Sequence, residues 1–141
     1  MIDFANLPPL PPVVQQLLNI DPDDLTQELV HQPQLYARFG VLHAEAVGNV
    51  QRCRFLRDRA WAHAWNVARE AILREGGKPT EATTNMRAEL DPAYIEATAA
   101  RAAAEEEERA LETLKLAFDQ RSRMLLVLAG ADRRTREQAH A

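Results

Sequence analysis

The stretch PAYIEATAARAAAEEEERALETLKLAFDQRSRMLLVLA, residues 92–129, decides how the chain is read. It contains no glycine, and its only proline is the first residue, the one helical position where the missing N–H costs nothing. Asp91 stands before it as an N-cap. Its last third carries Leu111, Leu114, Phe118, Arg121, Leu125 and Leu128, spaced by threes and fours. That spacing lays an apolar seam along one side of a helix, with Arg121 inside it. The expectation is one long helix over 92–129, closed or bent at Gly130 and followed by a short basic tail over 129–141 with Arg133, Arg134 and Arg136.

A second long helix is expected upstream, over 34–75. Tyr36, Phe39, Ala46, Val50, Trp61, Ala64, Ala68 and Ile72 share one face at the helical period. At 1.5 Å per residue it would span about 60 Å. Pro33 is read as its start and Gly76-Gly77 as its left-handed C-cap. Gly40 and Gly48 lie inside it, each costing about 1 kcal/mol against Ala, and suggest close packing of a neighbour. Shorter helices flank the pair: a turn from Val13 to Leu18, a helix from Asp21-Pro22 to about Val30, and one capped by Thr80 and running through Leu90. Residues 1–12, with Pro8, Pro9, Pro11 and Pro12, read as an extended arm, and its apolar Ile2, Phe4, Leu7 and Leu10 as docking residues. Residues 13–141 then form a single helical-hairpin domain, the size expected of one core.

Composition agrees with an all-α fold. The 141 residues hold only five glycines, aromatic residues are 6%, and the apolar 46% is dominated by Ala and Leu. Two helices packed as an antiparallel pair bury one stripe each, so the remaining apolar surface predicts a homo-oligomer, with Leu111, Leu114, Phe118, Leu125 and Leu128 as the interface. The single cysteine, Cys53, excludes an internal disulfide and agrees with a reducing, cytoplasmic location. No leader pattern and no run long enough to span a membrane is visible, so no membrane partner is expected.

Motifs for catalysis are missing: there is no phosphate-cradling glycine loop, no GxSxG, no HExxH and no CxxC. His31, His43, His63 and His140 are scattered. Neither an enzyme nor a metal or other cofactor is expected. Cys53 reads as a small packed side chain, and Glu105 to Glu108 as a solvated turn with ion pairs.

Charge is patterned within a net of −4. Residues 1–32 carry −5, residues 33–78 +4, residues 79–119 −6 and residues 120–141 +3. The basic residues are fifteen Arg and two Lys. Arg pairs with phosphate through a planar fork and stacks on bases, although an Arg-favouring codon composition explains the same bias. Arg52, Arg59, His63, Asn66 and Arg74 fall on one stripe of the first long helix, opposite the Trp61 face, with Glu70 interrupting it. Arg54 and Arg57 lie nearer the apolar edge, beside Trp61 and Trp65. Arg side chains with adjacent aromatics suit a single-stranded nucleic acid, the cations neutralising phosphates and the rings stacking bases. The plainer reading is a solvated face and two core tryptophans.

The order of these features resembles the UvsY-type recombination mediators of tailed phages. The likeness runs from Asp23 to Arg136. An acidic amphipathic stretch, Asp23 to Leu29, precedes the helix beginning Gln34-Leu35-Tyr36. The basic stretch Leu56-Arg57-Asp58-Arg59-Ala60-Trp61 leads to a glycine break, then to Asp91-Pro92-Ala93-Tyr94 and a helix closing on Ala117 to Leu125. The resemblance implies a non-catalytic helical protein that assembles into rings. Such proteins bind single-stranded DNA and help a RecA-like recombinase displace the single-strand-binding protein. It also implies that a short basic motif on the first long helix contacts DNA, with Arg57 and Arg59 the nearest match. The chain departs from the family in its Pro-rich arm and scarcity of Lys. The rival expectation is a helical structural or interaction protein of a phage, an assembly factor or host-defence inhibitor with no nucleic-acid role, which the acidic net charge favours.

Overall fold

The computed structural model describes residues 11–139; most of the Pro-rich arm and His140 lie outside the described residues. Among these residues there is no strand, and the elements in order are α1 (Pro12–Leu18), a 3-10 turn (Pro22–Asp24), α2 (Leu25–Arg74), α3 (Glu81–Ala88) and α4 (Pro92–Ala139). No helix among them is long and apolar enough to cross a membrane. The chain forms two compact units, Met1–Gly40 with Thr113–Ala141, and Val41–Glu112. Both long helices contribute to each unit, and in each they run antiparallel.

The caps form where the sequence places them. Asp91 Oδ1 accepts from the amides of Ala93 (2.9 Å) and Tyr94 (3.1 Å) at the start of α4. Thr80 and Thr83 exchange side chain-to-amide bonds at 3.2 and 3.1 Å, a capping box with Thr in place of the usual Glu. Gly76 takes φ +76°, and the Gly77 amide donates to Ile72 O at 2.9 Å, closing α2.

Two expected boundaries are corrected. α2 does not begin at Pro33 but runs continuously from Leu25, with Pro33 inside it. Proline there removes one backbone bond, yet Glu28 and Gln32, in the turns before it, are bound by Arg121 of α4. Packing of this first stretch outweighs the local break. α4 likewise does not end near Ala129. It continues through Gly130 to Ala139, so 129–141 is not a loose tail over its described residues. The i,i+4 pairs Arg133–Glu137 (2.9 Å) and Asp132–Arg136 (3.0 Å) support the extension.

In the unit Val41–Glu112, the core is built from small side chains: Ala46, Val50, Ala64, Ala68, Ala88 and Ala104 are all buried. Trp61, Trp65 and Tyr94 pack on the Ala64–Ala68–Ala88 cluster. In the other unit, Phe39 stacks on Phe118 with ring centroids 4.5 Å apart, and Phe118 and Leu125 are fully buried. Beside them Arg121, only 6% exposed, donates to Gln32 Oε1, to Glu28 Oε2 and to Asn19 O. Gln32 Nε2 in turn donates to Phe118 O at 2.7 Å.

Candidate nucleic-acid interface

The stripe read on the first long helix is an exposed face of α2 within the unit Val41–Glu112. Arg52, Arg59, His63, Asn66 and Arg74 are all exposed. Arg52 donates to Asn49 Oδ1 at 3.4 Å. Arg59 lies over the ring of Phe55, its guanidinium carbon 5.8 Å from the ring centre. Among the described residues neither Arg52 nor Arg59 has a carboxylate partner, so their charge is available to a ligand. Arg74 is paired with Glu70 at 3.7 Å, which weakens that end of the stripe.

Phe55 is the residue that the sequence reading passed over. It is 62% exposed, three residues after Arg52 and four before Arg59, so all three project to one side. That spacing is legible in the sequence, but only packing decides that the Phe55 ring stays uncovered. Leu56 and Val67 are also exposed along this face.

Arg54, Arg57 and the tryptophans turn toward α4 and α3. Arg54 Nη2 reaches Glu105 at 3.4 Å, and Arg101 Nε reaches the same carboxylate at 2.9 Å. The Arg101 bond foremost, then Arg54, hold Glu105 below the usual carboxylate range. Arg57 pairs with Asp58 (3.2 Å), touches Tyr94 OH (3.5 Å) and lies 5.9 Å from the Tyr94 ring centre. The two residues matched to the family's basic motif are therefore separated: Arg59 faces outward, while Arg57 is engaged in the helix–helix seam. Periodicity could not have named Tyr94 or Glu105 as partners, because they come from another helix.

Trp61 packs against Tyr94 with ring centroids 4.9 Å apart, and Trp65 Nε1 donates to Asn85 Oδ1 at 3.1 Å. Both remain half-buried and line a cleft of about 560 Å³ with Arg69, Pro79, Thr80 and Thr84. Cys53 is half-buried, its thiol 4.0 Å from Asn49 Oδ1. His43 Nε2 lies 3.6 Å from Glu108. No cluster of three or more His, Cys, Asp or Glu side chains placed to hold a metal ion exists among the described residues.

The proposed interface residues of α4 are largely used within the chain. Phe118 and Leu125 are fully buried, and Leu111, Leu114 and Leu128 are half-buried. The exposed apolar residues of this stretch are instead Leu116, Met124, Leu126 and Val127. No family model, curated protein or solved structure matches the chain. The class defined by fold and surface is an all-helical protein with an Arg–Phe face on its first long helix.

Proposed function

We propose that this chain is a non-catalytic recombination mediator that binds single-stranded DNA through α2. The cluster Arg52–Phe55–Arg59 carries the reading: two cations without carboxylate partners among the described residues flank an exposed ring. Arginines neutralise phosphates, and a ring between them offers a base a stacking surface without sequence preference. His63 adjoins Arg59 on this face, whereas Arg54 and Arg57 contribute only field at longer range. One protomer offers few such contacts against a net charge of −4. In a ring the face is repeated, and weak contacts combine through effective concentration. A RecA-like recombinase and the single-strand-binding protein are the partners this function requires. The proposed location is the host-cell cytoplasm.

The test is fluorescence anisotropy of labelled oligo-dT at several salt concentrations. Replacing Arg52 and Arg59 with Ala removes two phosphate contacts and lowers the salt slope by about 1.4, at roughly 0.7 per contact for single strands. Phe55→Ala costs about 1–3 kcal/mol, the range for losing one base-stacking ring. Replacing Arg133, Arg134 and Arg136 with Ala leaves binding nearly unchanged. If that triple variant loses binding while the Arg52/Arg59 variant keeps it, the C-terminal end of α4 is the site.

A second reading has its own observation. Leu56 and Val67 extend the apolar character around Phe55, and Arg with an exposed aromatic is also the make-up of a protein-binding hot spot. If oligo-dT does not bind even at low salt, the mediator reading falls and a helical interaction protein without nucleic-acid role replaces it.

A further inference from the structure

The cleft beside Trp61 and Trp65 lies on the side of α2 away from the Arg52–Phe55–Arg59 face. Its aromatic walls are held before any ligand arrives: Trp61 by Tyr94 at 4.9 Å, Trp65 by its bond to Asn85 at 3.1 Å. Pro79 adds an apolar patch, and the Thr84 hydroxyl is spent on Thr80 O at 2.7 Å. Among the described residues the Arg69 guanidinium and the Asn85 amide nitrogen remain as donors for a ligand, since Trp65 engages the Asn85 oxygen. Glu81 also lines the cleft, so the lining carries one acidic and one basic side chain. Such a cleft does not favour a phosphate chain. It suits a neutral, extended backbone rich in unpaired carbonyls, which is the character of a proline-rich segment. Aromatic grooves with N–H donors take such segments at low cost, because proline has already fixed φ.

The chain carries one such segment, Leu7-Pro8-Pro9-Leu10-Pro11, just ahead of α1. At its described end Pro11, Pro12 and Val13 are all exposed. Ten residues precede the described part, and at about 3.1 Å per residue an extended stretch of that length reaches about 31 Å. We propose that the Leu7–Pro11 segment of one copy docks in the Trp61–Trp65 cleft of a second copy. The contact is heterologous, segment to cleft, so its repetition builds a closed ring or an open chain. Nucleic-acid binding is not needed for it.

The chain has two tryptophans and both line this cleft, so intrinsic fluorescence reads its occupancy directly. In the full-length chain, Pro8→Gly, Pro9→Gly and Leu10→Ser together shift the emission to the red and remove protection from acrylamide, with circular dichroism unchanged. A synthetic peptide of residues 1–12 added to that variant restores the blue emission saturably, and the same peptide with the three substitutions does not. Identical emission and quenching in the natural and substituted chains overturns the proposal, as does failure of the peptide to restore them. If the natural chain scatters light as a monomer while its tryptophans stay protected, the segment docks on its own chain and the second-copy assignment is wrong. If oligo-dT shifts the emission of natural and substituted chains alike, nucleic acid fills the cleft and the proposal is overturned.

Discussion

Arg121 interrupts the apolar seam of α4, and its surroundings show why it is tolerated. Its guanidinium fork is shared among Glu28, Gln32 and Asn19 O, so a buried charge meets an opposite charge and two neutral acceptors. Arg121→Ala leaves Gln32 Oε1 without its donor and Glu28 without its cation, with only the Asp21 amide still bonded to that carboxylate, and removing one partner of a buried pair costs about 3–5 kcal/mol. Arg121→Lys recovers only part of this, since an ammonium cannot reproduce the planar fork. Urea denaturation followed by circular dichroism measures both. Glu28 adds a pH dependence. Burial works to raise its pKa, but the Asp21 amide at 2.9 Å and Arg121 outweigh burial and hold it below the usual carboxylate value. The folded pKa is thus below the unfolded one, near 4.3 for Glu. Its stabilisation is complete above that value and is lost as pH falls through the folded pKa. The stability difference between the natural chain and Glu28→Gln should therefore be constant near neutrality and shrink in acid. A difference that grows in acid would contradict the ion pair.

At the scale of elements, the glycines inside the long helices set a direct test. A Cβ built on Gly48 or Gly130 meets nothing within 4 Å in the chain. Gly48→Ala and Gly130→Ala should each raise stability by about 1 kcal/mol, the difference in helix propensity. If either change lowers the particle mass instead, a neighbouring copy packs against that position, as the sequence expectation for Gly48 supposes. Gly76 behaves in the opposite sense. Its φ of +76° is a left-handed conformation, and Gly76→Ala should cost about 1–2 kcal/mol. Thermal melts of the three variants rank them.

At the scale of the molecule, the exposed apolar surface of α4 sets how assembly should respond. Leu125 is fully buried, whereas Val127, two residues on, is 65% exposed. Leu125→Asp should therefore cause a cooperative loss of helicity rather than a clean dissociation. Val127→Asp with Leu116→Asp should keep the circular dichroism and lower the mass seen by light scattering if this face joins copies. An unchanged mass would remove the face from the assembly.

The helical class, the N-caps at Thr80 and Asp91, the glycine stop after α2 and the exposed Arg stripe were all legible in the sequence. Each depends on residues within a few positions of one another, and local hydrogen bonding and the 3.6-residue period act at that range. Tertiary structure decided the rest. Pro33 ends a helix by local rules, but Glu28 and Gln32 are anchored on Arg121 about ninety residues away, and this packing carries α2 through it. The division between Arg57, turned to Tyr94, and Arg59, left facing outward, has the same origin. Two residues apart on one helix, they differ in which face meets α4. Periodicity tells that two faces exist; only the packed partner decides which is covered.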